Sequence, residues 1–332
     1  MPLTEGFTTR QKMCMGPPKQ GHLEKKKKKL KTPSYAVALK FNKNHDPESG
    51  RFSSGGGGTS TKDTDLDEFT SESLSPAQRT MQAELAKQAK KPVYKVKTIE
   101  EAVVRVLKGD NVELQDTKAV HTVLQKLGEM AIKAKQLNKK APNFDPCTIT
   151  VKGTSLFCSQ KIKTDEFPHG IPRIEMPQFK SKNPIPGSEA DKLPRDDNDE
   201  VDATGKFLEH LAESGVKSNP NATILARKLK ASQAEMEGAK VAGMMLSNRD
   251  PKKAKITVSR DGYVVDGHHT WAAAVGRDAE DGNLDNDMEM DVVMVDLPMS
   301  QIYHLSVAWT KKYGLPAASV KKFDWVSMLT FA

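Results

Sequence analysis

The first 91 residues of this 332-residue chain contain too little apolar surface to form a hydrophobic core. They are rich in Pro, Gly, Ser and charged residues, with a run of lysines at residues 25–29 and a run of glycines at residues 55–58. Burial in such a segment does not offset the entropy cost of ordering the backbone. We therefore predict that residues 1–91 are a disordered, basic, low-complexity tail.

The net charge of +8 belongs to this tail. Residues 1–62 hold 13 of the 51 Lys and Arg residues but only 4 of the 43 Asp and Glu residues. The rest of the chain is close to neutral, which argues against a broad DNA-binding face and still allows a local basic patch. The lysine run itself fits either a nucleic-acid contact or a solvated tail.

The three cysteines, Cys14, Cys147 and Cys158, are too few for a disulfide framework, and their odd number favours a reducing compartment. Their spacing does not match a zinc site, so we expect Cys147 and Cys158 to be buried thiols. No apolar run approaches the roughly 18 residues that span a bilayer, and the N-terminus lacks the apolar stretch of a secretory signal. The sequence predicts a cytoplasmic protein with no membrane partner.

Two amphipathic helices are predicted between residues 98 and 140. The first begins with a capping box at Thr98 and Glu101 and ends at Gly109, and the second begins near Asp116. Both have apolar residues at helical spacing, so each presents an apolar side that needs a partner. We expect this helical pair to pack on the C-terminal domain or on a second copy of the chain, which leaves a homo-oligomer open.

A strand, a glycine and a helix start follow one another between residues 256 and 276. A hairpin turn at Asp261 and Gly262 joins two short strands, and Gly267 precedes the helix. A helix start presents unpaired N–H groups, and a glycine lets a phosphate approach the backbone. This pattern favours a phosphate site, and an ordinary turn with a histidine cap is the alternative.

A second helix start is predicted upstream of this motif. Residues 222–229 can form a strand, and Ser232 and Glu235 match a capping box. Apolar residues at helical spacing follow, up to Met245. We therefore expect a helix that begins directly after Ser232.

Residues 259–273 resemble the core motif of the ParB/sulfiredoxin superfamily, in particular phage-encoded "ParB-like nuclease domain" proteins. Residues 229–233 are similar to the first box of that family, and residues 170–178 to a segment that precedes it in the phage branch. The predicted fold class is therefore α+β: a disordered tail, a helical pair and a ParB/sulfiredoxin-like mixed-sheet domain over residues 148–330.

The resemblance implies that the glycine turn holds nucleotide phosphates, since the superfamily includes CTP-binding clamps, ATP-using and ADP-using enzymes, and nucleases. By position, Gly267 is the phosphate-turn glycine and His269 the phosphate-contacting histidine. Asp266 is a candidate metal ligand or phosphate-orienting residue. His268 takes the place of the reactive cysteine of sulfiredoxins, so that chemistry is absent. The implied cofactor is CTP, ATP or ADP with Mg²⁺, and DNA is the alternative partner.

Two positions depart from the family pattern. Thr270 stands where the family prefers Arg, so Lys240 or Arg260 would have to supply a phosphate clamp. Gln233 stands where kinase relatives carry an acid, which makes Glu235 the nearest candidate for a general base. The predicted catalytic residues are Asp266, His268, His269 and Glu235, and the predicted phosphate-binding residues are Gly267, His269, Thr270, Lys240 and Arg260, with Asp266 as the metal ligand.

Residues 45–56 resemble a low-complexity stretch of tailed-phage portal and head proteins. We therefore expect a phage or prophage protein whose domain binds nucleotide or nucleic-acid phosphates. If it is an enzyme, its class is phosphoester chemistry, either as a nuclease or as an NTP hydrolase or phosphotransferase, helped by a divalent metal. The alternative is a non-catalytic accessory protein of the phage head or of DNA packaging. Such a protein would bind phage head proteins and would be found in the virion as well as in the host cytoplasm.

Overall fold

The computed structural model describes residues 75–247, 250, 253–283 and 288–316. In these residues helices combine with parallel and mixed sheets, which confirms the α+β class. The disorder predicted for residues 1–74 lies outside the described part. Within that part, no helix has both the length and the apolar character that crossing a membrane requires.

Helix α1 (Pro76–Ala89) lies in the segment predicted to be disordered, so the prediction is wrong for these residues. Ser75 begins the helix with a reciprocal cap, because its side chain accepts from Gln78 N–H and the Gln78 side chain accepts from Ser75 N–H. Gln82 is buried and donates to Gly170 O at 3.2 Å. Since α1 docks through an amide side chain, hydrophobic periodicity does not reveal it.

A three-stranded parallel sheet follows, with strands in the order β1 (Val93–Lys95), β2 (Asn111–Leu114) and β3 (Ile149–Val151). Helix α2 (Ile99–Leu107) connects β1 to β2, and α3 (Thr117–Gln136) lies between β2 and β3. The two predicted helices are thus present, but as crossover helices of a sheet. Strands of three or four residues are too short for their alternation to be recognised in the sequence.

In chain order, a small antiparallel ribbon follows the parallel sheet and precedes the second large sheet. Its strands are β4 (Lys180–Ser181) and β5 (Val201–Asp202), and helix α4 (Thr204–Glu213) follows directly. Phe179, which precedes β4, packs on Phe207 of α4 with ring centroids 5.0 Å apart. Both rings are almost completely buried, so this aromatic contact fixes the ribbon on the helix.

The second large sheet is mixed. It contains β6 (Ser218–Leu225), β7 (Ile256–Ser259), β8 (Val264–Asp266) and β9 (Glu289–Val295) in the order β6-β9-β7-β8. The β6-β9 and β7-β8 pairs are antiparallel, and β7 and β9 are parallel. The strand predicted over residues 222–229 corresponds to β6, which begins and ends four residues earlier. It ends earlier because a short 3₁₀ turn follows it.

Helices α6 (His268–Asp278) and α7 (Met299–Tyr313) pack on this sheet, and α5 (Gly238–Leu246) packs on α6. Helices α3, α5 and α6 contact one another, and a single hydrophobic core extends from the parallel sheet to α6. A Cβ at Gly276 would lie 2.5 Å from Met245 Sδ, so a larger residue here would require the Met245 side chain to move. The C-terminal elements thus cover the apolar side of α3.

The capping box predicted at Ser232 and Glu235 is wrong. Ser232 Oγ donates to Val264 O at 2.6 Å, and Glu235 Oε1 accepts from Arg173 N at 2.8 Å. Helix α5 begins only at Gly238. Both polar side chains connect distant segments, and these tertiary hydrogen bonds replace the local cap.

Cys147 and Cys158 form a disulfide with a Cα–Cα distance of 5.3 Å, so the expectation of two free thiols is wrong. Cys147 lies in a short 3₁₀ turn that Asp145 caps. The chain then reverses after β3 through Gly153, which has a φ of +76°. This reversal brings the cysteines to a separation that a disulfide requires, whereas their sequence spacing alone does not fix that separation.

Candidate functional site

The start of α6 combines a left-handed glycine with a first turn that no described side chain caps. Gly267 is the N-cap, with a left-handed φ of +95°, and among the described residues no side chain caps the first turn. A Cβ at Gly267 would overlap Ile256 Cγ2 and would lie 2.9 Å from Ile256 Cβ, so the backbone here requires glycine. The first N–H groups of the helix therefore remain available to an anion.

His268 is directed into the core and is only 5% exposed. Its Nε2 accepts from Ser232 N–H at 3.3 Å, and Ser232 Oγ lies 2.9 Å from the same nitrogen. Burial, and next the charge of Arg173, lower the pKa of His268 to about 3. A neutral, buried and bonded imidazole holds two segments together, which fits a positioning role better than the predicted catalytic one.

His269 lies at the edge of the site, where it is partly buried. Its Nε2 accepts from Glu237 N–H at 3.3 Å. Burial lowers the pKa of His269 well below its ordinary value, and the charges of Lys240 and Arg173 act in the same direction. Arg173 Nη1 also lies 3.3 Å from Glu237 Oε2. Two basic side chains thus lie near the one histidine that is partly exposed at the helix start.

Asp266, the last residue of β8, directly precedes Gly267. Burial raises the pKa of its carboxyl, Lys180 opposes this effect, and Asp202 reinforces it. Lys180 Nζ pairs with Asp202 Oδ2 at 2.9 Å. The small ribbon therefore contributes one ammonium and a second carboxylate to the site.

Glu235 lies in a separate cluster of buried charges. Its Oε1 accepts from Arg173 N–H, and its Oε2 is buried without a hydrogen-bond partner in the described part of the chain. Burial raises the pKa of Glu235 to about 7, and it also raises the pKa of Asp145 to about 6. Lys161 contributes a positive charge to both carboxyls. One oxygen of the Glu235 carboxyl thus holds the segment of Arg173, whereas the other is not used in this contact.

The two remaining predicted residues differ in position. Thr270 lies in the first turn of α6, with Oγ1 4.0 Å from Met244 Sδ. Arg260 lies at the turn of the β7-β8 hairpin, whereas Asp266 ends the other side of that hairpin. Arg260 Nη1 pairs with Asp296 Oδ1 at 3.3 Å. The structure therefore brings Thr270 to the helix start and leaves Arg260 away from it.

The assembled site contains Asp266, Gly267, His269, Thr270 and Lys240 from the predicted set, and Arg173, Lys180 and Asp202 in addition. The segment of Arg173 carries a family resemblance that could have indicated it. Lys180 and Asp202 lie on strands of two residues, which give no sequence signal. Among the described residues, no three His, Cys, Asp or Glu side chains are arranged to hold a metal ion.

No protein-family model, curated protein or solved structure matches this chain. A functional hypothesis therefore depends on the chemistry of the helix start.

Proposed function

We propose that the protein binds the phosphate groups of a nucleotide at the start of α6. The observation that carries this proposal is the left-handed Gly267 N-cap, which leaves the first turn of the helix without a side-chain cap. Lys240 and Arg173 act electrostatically on the neighbouring His269. Helix N–H groups, a positive helix dipole and adjacent basic side chains together favour a bound phosphate.

The resemblance to the ParB/sulfiredoxin superfamily supports the same ligand class, namely CTP, ATP or ADP. Mg²⁺ fits the site as an ion that the nucleotide carries, because Mg²⁺ keeps several waters and needs only one or two protein carboxylates. Asp266 would hold it, with Asp202 as the second carboxylate. A metal held by protein side chains alone is not supported, since too few ligands converge within the part of the chain that the structure describes.

Binding without catalysis is the function that the contacts favour. Two of the predicted catalytic groups, His268 and Glu235, are buried and bonded to backbone N–H groups. Phosphoester chemistry is a second candidate, and it is favoured by the Asp266 carboxyl, whose pKa burial raises at the same helix start. The predicted phage-head role depends on residues 45–56, which lie outside the described residues.

The proposal is tested by thermal unfolding with Mg²⁺ and CTP, ATP, ADP or pyrophosphate. A ligand that binds only the folded state raises the unfolding free energy by about 2.7 kcal/mol at a concentration of 100 times its Kd. Lys240→Ala should reduce the shift, and Arg260→Ala is the matched control because it removes a positive charge away from the helix start. No shift with any of these ligands, or equal loss in both variants, would contradict the proposal.

A further inference from the structure

The segment before Cys147 caps the start of α5. Met236 N–H donates to Asp145 Oδ1 at 3.2 Å, and Gly238 N–H donates to Phe144 O at 2.7 Å. Ala239 N–H also donates to Asn143 Oδ1 at 3.3 Å, so the first two N–H groups of α5, and that of Met236 just before the helix, depend on groups from another part of the chain. Because α5 also carries Lys240, the position of this segment affects the phosphate site.

The segment between β6 and α5 has a second set of contacts, with the two histidines of α6. Ser232 N–H donates to His268 Nε2, and Glu237 N–H donates to His269 Nε2, each at 3.3 Å. Residues 232–237 thus lie between the cap of α5 and the start of α6. A displacement of this segment would move both imidazoles.

The disulfide lies against the same segment. Cys158 Sγ is 3.9 Å from Ala234 O, and Cys147 N–H donates to Asp145 Oδ1 at 3.0 Å. Cys147 is partly exposed, whereas Cys158 is only 7% exposed. Because Cys147 is the more exposed residue of the pair, we expect a thiol from solvent to attack Cys147 first.

We propose that Cys147 and Cys158 are a reversible thiol–disulfide pair whose oxidation state regulates the phosphate site. The oxidised pair holds Asp145 under α5, and through residues 232–237 it fixes His268 and His269. The reduced pair releases this restraint. The regulatory part of the inference rests on the proposed function, whereas the redox reaction and its effect on the histidines do not.

The co-reactant is a small dithiol. Its first thiolate attacks Cys147 Sγ and forms a mixed disulfide, and Cys158 leaves as a thiolate that takes up a proton. The second thiol of the reductant then attacks its own sulfur in the mixed disulfide and releases Cys147, which is protonated in turn. The two protons and two electrons of the dithiol end on the two cysteines, and the reductant leaves as a cyclic disulfide.

The first experiment measures the redox equilibrium. The full chain is equilibrated in buffers with different ratios of reduced to oxidised dithiothreitol, and then alkylated and analysed by peptide mass spectrometry. We expect Cys147 and Cys158 to change together between the two extremes, while Cys14 serves as the internal control. A pair that stays reduced in every buffer, or that stays oxidised in the native protein with excess dithiol, would refute the reaction.

The second experiment measures the coupling without any ligand. Imidazole NMR spectra of the Cys14→Ser protein are compared in the oxidised and reduced states, with His210 on α4 as the control. We expect the His269 signals to shift, and a Cys147→Ser/Cys158→Ser variant to match the reduced state. Unchanged His268 and His269 signals would refute the coupling even if both cysteines react.

The third experiment tests regulation through Mg·ATP titrations of both redox states. A coupling free energy of the usual size predicts an apparent Kd that differs by about fivefold or more. Equal and measurable Kd values would refute the regulation and leave the proposed function intact. Absence of binding in both states, together with shifted His269 signals, would refute the proposed function and the regulation but not the redox coupling.

Discussion

Gly267→Ala should destabilise the protein through two separable effects. The φ of +95° places the residue in the left-handed region, where a side chain costs roughly 1–2 kcal/mol. The new methyl group would also overlap Ile256, which is 3% exposed, and overpacking of a core typically costs about 1–3 kcal/mol. We therefore expect the unfolding free energy to fall by about 2–5 kcal/mol.

Gly262→Ala is the matched control, since Gly262 has a φ of +82° in the turn of the same hairpin. The nearest atom to a Cβ there is Lys230 Cε at 3.6 Å, an ordinary contact. This variant should therefore show the backbone effect alone, roughly 1–2 kcal/mol. The difference between the two variants measures the overlap with Ile256.

Urea denaturation followed by circular dichroism gives both free energies. A double-mutant cycle with Ile256→Ala tests the contact directly, because the added methyl group can occupy the space that Ile256 leaves. We expect Gly267→Ala to cost less in that background than in the wild-type protein. Equal costs for Gly267→Ala and Gly262→Ala, with an additive cycle, would show that Gly267 is not closely packed against β7.

Three further outcomes are expected. The raised pKa of Glu235 means that the folded state binds the proton of this carboxyl more tightly than the unfolded state does. The stability that the protonated carboxyl contributes is therefore lost as the pH rises from about 4.5 to 7. Urea unfolding across this pH range should show a smaller loss of stability in Glu235→Gln than in the wild-type protein. Trp271→Phe should lower the unfolding free energy by about 2–4 kcal/mol, because it leaves a cavity and removes the donor to Ala226 O, and calorimetry checks this value. Gln82→Ala should speed hydrogen exchange in α1 and leave the exchange of α6 unchanged.

The strand, turn and helix around the site could be predicted because each depends on local chemistry. Gly262 and Gly267 have positive φ values where the sequence requires a turn, and α6 and α7 follow apolar residues at helical spacing. The capping box at Ser232 failed for the opposite reason. Its hydroxyl could accept a hydrogen bond from a nearby N–H or donate one to the distant Val264 O. The tertiary structure determines which of the two forms.

Other parts of the structure leave no local pattern to recognise. Lys180 and Asp202 reach the site on strands of two residues, whose positions are set by the packing of Phe179 on Phe207. The pairing of Cys147 depends on a chain reversal between β3 and its partner cysteine. In each case tertiary contacts determine the position of the functional group, and these contacts cannot be inferred from the neighbouring residues in the sequence.

The charges at the helix start favour a compact anion over an extended one. Burial keeps His268 and His269 neutral at neutral pH, so neither histidine adds positive charge. Lys180 is paired with Asp202, and Arg173 lies near the carboxylate of Glu237. Non-specific DNA binding draws its free energy from many basic contacts that release counterions, and a site of partly neutralised cations supplies little of it. The backbone N–H groups of α6 would act over a short range on one phosphate group, which is why we propose a nucleotide and not a DNA backbone as the ligand.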